Sequence, residues 1–450
     1  MKPSIKRAPE SPLSQSAAGD LDAVYVKIAK RIIPFLALLF VMAWLDRYNV
    51  GFAKLQMVKD LGFSEAVYGF GAGIVYLGYM LFEIPSNLLL ERIGARKTFG
   101  RITILWGITS IAMVLVKTAT WFYVLRFLLG SFEAGLYPGV VLYLTYWFPS
   151  RRRALMLGLF QTSIPITGII GGPISGWIMN SMGGQLHLAN WQWLFVLEGV
   201  PSIVVGLVVL AVIVDKPGEA RWLTDREKQL VLADLHVDSQ NAGPRNHSLR
   251  GSLGNGRVWL LTLIAFCHYS ALVTLAFWVP TIIQDFDVKS ALTNGMLSAV
   301  PYIFYLIALV VAGWHSDRAQ ERHHLHSALP CLTCALSLVG VGVFEHIPVL
   351  SLASLCLVLA SYGCAYPAFW QIPMMLLAGT GAAVGIALIN SIGSLSGWLG
   401  PSVVGWLRDV TGKTSAGLYV LASLEVLAAL LILSYMPRGE VATSGTVPTK

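Results

Sequence analysis

The sequence predicts an all-α integral membrane protein, with twelve transmembrane helices in two pseudo-symmetric six-helix bundles and both termini in the cytoplasm. The first observation is compositional. Of the 450 residues, 55% are hydrophobic and only 12% are charged, whereas soluble domains carry about 25% charged residues. The second is a series of apolar segments long enough to cross a bilayer, and the third is the recurrence of first-half motifs in the second half.

The membrane spans follow from segment length, because a helix needs about 20 mostly apolar residues to cross a bilayer. In the first half, such segments lie at residues 32–52, 67–90, 98–117, 121–147, 153–180 and 191–213. In the second half, they lie at residues 257–284, 292–314, 327–345, 349–376, 382–408 and 415–436. The expected organisation is an N-terminal tail, a six-helix bundle, a linker with a short helix, a second six-helix bundle and a C-terminal tail, at residues 1–31, 32–213, 214–256, 257–436 and 437–450.

The distribution of basic residues predicts the orientation of the chain. If the N-terminus is inside, 24 of the 32 Lys and Arg residues fall in cytoplasmic segments, 6 in outer loops and 2 within spans. Under the positive-inside rule, this bias places both tails and the linker in the cytoplasm. Because topology explains the net charge of +8, we expect the lipid bilayer as the surroundings and no nucleic-acid partner.

The polar segment between the two sets of spans begins with a helix start signal. Thr224 is followed three residues later by Glu227, which is the spacing of a capping box. The sequence that follows, "VDSQNAGPRNHSLRGSLGNG" from Val237 to Gly256, is rich in Gly, Ser and Asn. That composition is typical of a flexible linker.

Motifs of the first half recur in the second half at a shift of about 226 to 229 residues. The segment "NLLLERIGARK", from Asn87 to Lys97, aligns with "GWHSDRAQERH", from Gly313 to His323. The other aligned positions are Tyr137-Pro138 with Tyr366-Pro367, Gln161 with Asn390, and Gly176-Trp177 with Gly405-Trp406. Two repeated bundles of this kind fit a transporter that rocks its halves around a central site.

Charged residues mark the loop after the second span and the equivalent loop after the eighth. They are Glu91, Arg92 and Arg96 in the first loop, and Asp317 and Arg318 in the second. A solvated surface at the cytoplasmic rim would account for them. Because the pattern recurs, we expect a conformational latch, in which ion pairs and helix ends hold the halves in one state.

Four charged residues of the first half lie inside predicted spans at related depths. Asp46 and Arg47 stand side by side in "AWLDRYNV", about 8–9 Å from the outer end of the first span at 1.5 Å per residue. Arg126 lies at a similar depth in the fourth span, and Glu133 follows two turns further along the same helix face. A charge near a helix centre costs roughly 2.5–3.5 kcal/mol in a bilayer, and mutual neutralisation lowers that cost.

Two interpretations of these four charges are open. In the first, they are structural ion pairs that tie helices together. In the second, the arginines bind an anion, because a guanidinium matches a carboxylate with two parallel hydrogen bonds, and the acids carry protons. Since helix neighbours are about 100° apart, Asp46 and Arg47 cannot both face one cavity.

Other polar residues inside the spans give weaker signals. Glu83 and Glu198 are predicted to be structural, and Glu425 stands near the middle of the last span with no partner evident from the sequence. His268 and Tyr269 in the seventh span are candidates for a cavity wall.

No metal site and no cofactor are expected. All five cysteines fall in apolar segments and are predicted to be small buried hydrophobes. Cys331 and Cys334 have the spacing of a metal-binding or redox pair, but they lie inside a span without a second such pair. A solvated cytoplasmic loop accounts for the remaining clustered histidines, which are His315, His323, His324 and His326.

Five motifs carry a resemblance to a known family. They are "LDRYNVGFA" at 45–53, "LLERIGARK" at 89–97, "LRFLLGSFEAGLYPG" at 125–139, "YWFPSRRRA" at 146–154 and "GIALINSIG" at 385–393. Together they resemble the major facilitator superfamily and, within it, the anion:cation symporter branch, over nearly the whole membrane part. The similarity is greatest to bacterial permeases for tartrate, 4-hydroxyphenylacetate, phthalate and sugar acids.

This resemblance implies proton-driven uptake of an organic anion by a twelve-helix protein. It assigns proton coupling to Asp46 and Glu133. It assigns substrate binding to Arg47, Arg126, Tyr79, Trp370 and Asn390. The sequence departs from the superfamily pattern at Asn87 and Glu91, and Pro165 stands where sugar-acid permeases tend to have a polar residue, which weakens a transfer of sugar-acid specificity.

The expected function is import of a small organic carboxylate (a hydroxy acid, a sugar acid or an aromatic acid) by proton symport. The expected protein is a monomer in a bacterial inner membrane, with the proton gradient as its energy source. The alternatives are an anion exchanger or exporter of the same fold and, from other classes, a non-transporting nutrient sensor or a membrane enzyme. A sensor would usually carry a long folded cytoplasmic domain, and an enzyme would need a nucleophile with a base or a metal site, which the sequence does not indicate.

Overall fold

The computed structural model describes residues 12–241, 254–319, 324–376 and 382–435. The regular secondary structure of this part is helical throughout. The main helices are α1 (Pro12–Leu61), α2 (Glu65–Ile93), α3 (Ala95–Ala112), α4 (Ala119–Glu133), α5 (Leu136–Trp147), α6 (Ser150–Gln161), α7 (Ser163–Ser181), α8 (Asn190–Val212), α9 (Asp225–Asn241), α10 (Gly256–Gln284), α11 (Ala291–Ala319), α12 (Leu329–Val343), α13 (Pro348–Leu376), α14 (Ala382–Ser394), α15 (Ser396–Thr411) and α16 (Ser415–Tyr435).

Eleven helical segments of the described residues are long and apolar enough to cross a membrane. Helices α14 and α15 together fill the place of the remaining predicted span, at residues 382–408. The predicted all-α membrane fold is therefore confirmed. The side of the bundle that carries α9 is called the linker side below, and it is the side predicted to be cytoplasmic.

Three of the predicted spans consist of two helices each, and these are the spans formed by α4–α5, α6–α7 and α14–α15. Between α4 and α5, Gly135 adopts the left-handed conformation with a φ of 87°, which costs glycine little. The break makes Glu133 the last residue of α4. Discontinuous helices near the centre of a bundle commonly build transporter sites, because they place helix ends and polar side chains at mid-membrane depth.

The first helix begins at Pro12, well inside the segment expected to be a tail. Its early turns present Val24, Tyr25 and Ile28 to the interior, where each is at most 5% exposed. The Tyr25 hydroxyl donates to Asp234 Oδ2 of the linker helix at 2.8 Å. Packing against the linker helix therefore extends α1 beyond the membrane.

The linker helix α9 begins as the sequence predicts. The Thr224 backbone N–H donates to Glu227 Oε2 at 2.7 Å, and the Glu227 N–H donates to Thr224 Oγ1 at 3.3 Å, which completes the capping box. The helix continues to Asn241, into the segment expected to be flexible, and residues 242–253 lie outside the described part of the chain. Ion pairs dock it on the first half, including Arg151–Asp234 at 2.7 Å.

The two halves pack most closely on the side opposite the linker. There α7 crosses α11, and α2 crosses α15. A Cβ atom placed on Gly172 would lie 2.5 Å from the Gly295 carbonyl oxygen, and one on Gly176 would lie 2.6 Å from the Ala291 carbonyl oxygen. Glycine at these crossings allows the backbones to approach closely, as small residues do between membrane helices.

Candidate substrate site between the two halves

A central cavity of about 90 Å³ lies between the two halves. Its wall is mainly aromatic, formed by Phe40, Trp44, Tyr76, Tyr79, Tyr137, Tyr269, Tyr362 and Tyr366. The other polar groups on the wall are Arg47, Glu133, Gln161, Asn390 and Ser394. A concave, mostly apolar pocket with a few convergent polar groups is the usual form of a small-molecule site.

Arg47 and Glu133 form a two-point ion pair on the cavity wall. Arg47 Nη2 lies 2.6 Å from Glu133 Oε1, and Arg47 Nε donates to Glu133 Oε2 at 3.2 Å. The guanidinium carbon also lies 5.0, 5.2 and 5.4 Å from the ring centres of Trp44, Tyr76 and Tyr79. At such distances, aromatic faces stabilise a cation, so the rings hold Arg47 in place beside the cavity.

Asp46 faces the other way, into the first bundle. Its Oδ1 accepts hydrogen bonds from Ser110 Oγ at 2.8 Å and from Asn49 Nδ2 at 3.3 Å, and its Oδ2 accepts one from Ser202 Oγ at 3.3 Å. These partners come from α1, α3 and α8 and are neutral. Of the adjacent pair Asp46 and Arg47, the arginine is thus the one that faces the cavity.

Arg126 lies outside the set of residues that line the cavity in this conformation. Its Nη2 donates to the Ala72 carbonyl oxygen at 2.8 Å and its Nε to the Gly71 carbonyl oxygen at 3.4 Å. Its Nη1 is buried without a hydrogen-bond partner among the described residues, and the Phe277 ring centre lies 5.6 Å from its guanidinium carbon. The predicted role of Arg126 in binding substrate stays a prediction.

The three other predicted substrate residues differ in position. Tyr79 and Asn390 line the cavity. Trp370 packs against Tyr269 and Phe369, with ring centres 6.2 and 5.8 Å away, and it is not among the lining residues. In this conformation Trp370 therefore supports the wall from behind.

Two side-chain bridges join the halves on the linker side of the cavity. Glu83 accepts hydrogen bonds from Ser391 Oγ at 2.7 Å and from Asn390 Nδ2 at 3.2 Å. Gln161 Nε2 donates to the Tyr366 hydroxyl at 2.8 Å. Sequence reasoning assigned Gln161 no role beyond its alignment with Asn390. That alignment was the available signal, because both residues line the same cavity.

A charged cluster fastens the halves on the opposite side. Lys54 Nζ lies 2.6 Å from Glu65 Oε2, and Arg408 lies 3.5 Å from the other Glu65 oxygen and 2.7 Å from Asp285 Oδ2. Asp409 accepts a hydrogen bond from the Glu65 backbone N–H at 2.9 Å, which satisfies a free donor at the start of α2. Lys54 and Arg408 are two of the six basic residues that the orientation analysis counted in outer loops, and the sequence predicted no further role for them.

Three of the predicted latch residues are exposed at the linker-side rim: Glu91, Arg92 and Arg96. The Arg96 backbone N–H donates to Asp215 Oδ1 at 2.8 Å, within the first half. In the second half, the guanidinium carbon of Arg318 lies 4.4 Å from the Trp314 ring centre, and the Asp317 side chain lies outside the described part. The latch stays a prediction.

A helical bundle of two halves with a polar cavity between them, closed firmly on one side, has the architecture of an alternating-access transporter. The chain belongs to the Major Facilitator Superfamily, whose family model matches residues 36–401. The family resemblance seen in the sequence motifs is thereby confirmed. The protein is a multi-pass secondary transporter of small molecules and not an enzyme.

Two relatives cover most of the chain. A putative tartrate transporter of Agrobacterium vitis is 44% identical over 415 residues, which is 92% of this chain and 92% of the relative. A quinolone resistance transporter of Acinetobacter baumannii is 40% identical over 408 residues, which is 90% of this chain and 93% of the relative.

The fold is also that of a solved transporter structure. A crystal structure of a D-xylose–proton symporter superimposes with a TM-score of 0.72, at 13% identity, over 91% of this chain and 98% of the symporter. At this low identity, the likeness supports the shared helical architecture alone.

Proposed function

We propose that the chain imports a small organic carboxylate together with protons, by alternating access across a bacterial inner membrane. The observation that carries the proposal is the Arg47–Glu133 pair on the cavity wall. Glu133 already presents a carboxylate to the guanidinium fork, which is the contact that a substrate carboxylate would make. The site is therefore shaped for the anion that it is proposed to bind.

Substrate binding and proton uptake are coupled because the substrate carboxylate replaces the Glu133 carboxylate at Arg47. When the substrate carboxylate occupies the Arg47 fork, Glu133 loses its cationic partner and takes up a proton. A protein carboxyl without a cation is more stable as the neutral acid in a buried site. Departure of the substrate restores the Arg47–Glu133 pair and releases the proton.

Asp46 provides a second proton position on the far face of α1. Its hydrogen-bond partners in the described structure are Ser110, Asn49 and Ser202, so it can exchange a proton without breaking an ion pair. Separate positions for the anion and for this proton allow the two to be loaded independently and carried together.

The cavity suits a small carboxylate with hydroxyl groups or a single ring. Gln161 and Asn390 are on the wall to hydrogen-bond hydroxyls, and the surrounding tyrosines offer faces to an apolar body. The relative named for tartrate supports a hydroxy acid. Tartrate is accordingly the first substrate to try.

Uptake by purified protein in liposomes tests the proposal. A thermal-shift screen over hydroxy acids, sugar acids and aromatic acids, tartrate included, identifies the ligand, and its labelled form is then offered with and without an inward proton gradient. We expect accumulation above the external concentration with the gradient alone as energy source. A ligand that only equilibrates under the gradient would contradict proton symport.

Export is a second candidate, favoured by the relative named for quinolone resistance. In the same liposomes, preloaded with a fluoroquinolone, an exporter would drive the drug against its gradient when the proton gradient is set in the appropriate direction. We expect carboxylate import and no quinolone movement. A fluoroquinolone also carries a carboxylate, but its fused rings and basic ring make it much bulkier than a small carboxylate, and the cavity is only about 90 Å³.

A further inference from the structure

Three helices of the second half bring together a histidine, a thiol and a carboxylate away from the central cavity. His268 Nδ1 of α10 lies 3.1 and 3.2 Å from the two oxygens of Glu425 on α16, and 3.7 Å from Cys331 Sγ on α12. Each of the three side chains is at most 1% exposed. Glu425, which had no partner in the sequence, therefore has a specific surrounding of potential metal ligands.

We propose that this cluster is a buried binding site for a soft divalent metal ion, best matched by Zn²⁺. Zinc bonds of about 2.0–2.2 Å to nitrogen and oxygen and about 2.3 Å to sulfur in a tetrahedron separate an N···O pair by roughly 3.3 Å and an N···S pair by roughly 3.6 Å. The observed separations at His268 are within a few tenths of an ångström of these values. All three ligand atoms lie within 4.8 Å of one another, so small side-chain shifts close the site.

Cys334 is the candidate for the fourth position. It follows Cys331 by three residues, close to one turn of the same helix, and is 0% exposed. A structural zinc site is almost always four-coordinate. Thiol and imidazole ligands favour zinc over magnesium or calcium, which prefer oxygen ligands alone.

The charges nearly balance with the metal in place. Zn²⁺ with the Cys331 thiolate, the Glu425 carboxylate and the neutral His268 ring carries no net charge, and a Cys334 thiolate in the fourth position would leave one negative charge, so the ion offsets most of the charge that burial disfavours.

The position of the site gives it a structural consequence. The ion would join α10, α12 and α16, which the chain connects only through long intervening segments. The His268 ring also stacks on Tyr362, with centres 4.4 Å apart and planes at 11°, and Tyr362 lines the central cavity. The metal would thus stiffen the second half directly behind the substrate site.

The sequence predicted no metal site, because it showed Cys331 and Cys334 as an isolated pair. His268 precedes Cys331 by 63 residues and comes from another helix, with spacing unlike that of a compact zinc motif. Only the packing of the helices brings the ligands together.

Metal content of the full-length protein tests the proposal. The protein is purified in detergent through an affinity tag without histidines, equilibrated with ZnCl₂, passed into metal-free buffer and measured by inductively coupled plasma mass spectrometry on the monodisperse gel-filtration fraction. We expect about one zinc per chain, as for a structural site, and near-complete loss in Cys331→Ser/Cys334→Ser. The matched control Cys356→Ser/Cys364→Ser removes two cysteines outside the cluster and should keep the metal.

Absorption spectra of the cobalt-loaded protein separate metal binding by the cysteines from a purely structural role, which would produce no cobalt–thiolate bands. Co²⁺ in the wild type should show thiolate-to-cobalt charge transfer and the intense d–d bands of a tetrahedral site, both lost in Glu425→Gln and kept in His315→Asn. The last variant controls for zinc at the other histidine pair, in which His315 Nδ1 and His326 Nε2 lie 2.8 Å apart. Folded wild type without metal, or metal content that depends on His315 and not on the two cysteines, would overturn the proposal.

Discussion

Arg47 is held at the cavity wall by one carboxylate and three aromatic rings. The Glu133 carboxylate pairs with the Arg47 guanidinium, and the rings of three aromatic residues lie beside it. These contacts hold the guanidinium in one orientation at the cavity. A lysine at this position would keep the charge but present a point donor in place of a planar fork. The geometry of the side chain matters here as much as its charge.

Arg47→Lys is therefore expected to weaken carboxylate binding by about 10-fold or more, because a charge-assisted hydrogen bond contributes about 1.5–3 kcal/mol. Arg47→Ala should abolish binding. The measurement is a titration of the ligand from the thermal-shift screen, by calorimetry in detergent. Arg101→Lys is the control, since that arginine donates to Ser86 at 3.1 Å outside the cavity. Equal affinity in wild type and Arg47→Lys would contradict two-point binding of the substrate carboxylate by the Arg47 guanidinium.

The sequence located the charged residues of the site better than it oriented them. Their spacing along the helices predicted a similar depth for Asp46, Arg47 and Arg126, with Glu133 two turns further along, and the cost of charge in a bilayer indicated a special role. Which of two neighbours faces the cavity depends on the rotation of α1 about its axis, and contacts with α3 and α8 decide that. For Arg126 the sequence could not show that the α2 carbonyl oxygens lie within hydrogen-bonding reach.

At the scale of elements, the crossing of α7 and α11 closes the side opposite the linker. The backbones meet at Gly172 and Gly295, and a side chain at Gly172 would collide with the Gly295 carbonyl oxygen. That oxygen belongs to helix backbone, which cannot swing aside as a flexible side chain does. The close approach thus stabilises the conformation that is sealed on this side.

Gly172→Val should push these helices apart and shift the population toward the conformation open on the side opposite the linker. With Ser298→Cys as reporter in the seam, a membrane-impermeant maleimide added from that side should label the variant faster. Gly158→Val is the matched control, because no atom lies within 4 Å of a Cβ placed there. Equal labelling of Gly172→Val and the parent would rule out the glycine seal.

The linker helix is held to the first half by carboxylates. Asp238 accepts hydrogen bonds from the Ser150 hydroxyl and backbone N–H, and Arg153 lies 3.5 Å away. Hydrogen bonding from Ser150, with a smaller contribution from the charge of Arg153, lowers the pKa of Asp238 below its ordinary value. A carboxylate with a lowered pKa stabilises docking above the ordinary Asp pKa of about 3.9, and this contribution is lost as the pH falls through the lower value.

Asp238→Asn should loosen α9 at neutral pH, by less than about 1 kcal/mol because the pair lies near the surface. Limited trypsin digestion should then cut within the linker sooner than in the wild type. No pH dependence of the wild-type digestion pattern is expected from Asp238 between pH 7 and 5. Asp225→Asn is the control, because the ion pair of that residue is with Lys228 of the same helix. Unchanged cleavage in Asp238→Asn would show that other contacts dock α9.

Helix boundaries were less predictable than helix existence. Apolar length predicted each span, and the capping box predicted the start of α9. The breaks after Glu133, at Thr162 and at Leu395 left no apolar gap in the sequence, because lost helix hydrogen bonds are replaced by packing and turn geometry inside the bundle. The helical extension of α1 to Pro12 depends on a distant partner, α9, which local sequence cannot show.

For the whole molecule, the two ends of the cavity are closed by different means. The opposite side combines close helix crossings with the cluster around Glu65 and Arg408, whereas the linker side of the cavity is crossed by hydrogen bonds from Gln161 and to Glu83. Opening toward the linker side thus requires the loss of a few hydrogen bonds. Opening toward the other side requires separation of whole helices.

The overall architecture was the most predictable property, since composition, segment length and the internal repeat all indicate two membrane bundles. The repeat also predicted similar positions for aligned residues of the two halves. Tyr137 and Tyr366 both lie beside Gln161, and Gly176 and Gly405 both lie at crossings between the halves. The sequence could not predict which side of the cavity is open. The conformations closed on the linker side and on the opposite side contain the same residues and differ in the relative position of the two halves.

Uptake by Asp46→Asn tests proton-coupled carboxylate import most directly. Wild type, Asp46→Asn and the control Asp60→Asn, which changes an acid near the far end of the same helix, are reconstituted in liposomes with labelled tartrate or the better ligand from the screen. We predict that Asp46→Asn fails to accumulate ligand under an inward proton gradient but still exchanges external for preloaded ligand, whereas Asp60→Asn accumulates like the wild type. Accumulation by Asp46→Asn at the wild-type level would contradict the proposed role of Asp46 in proton coupling.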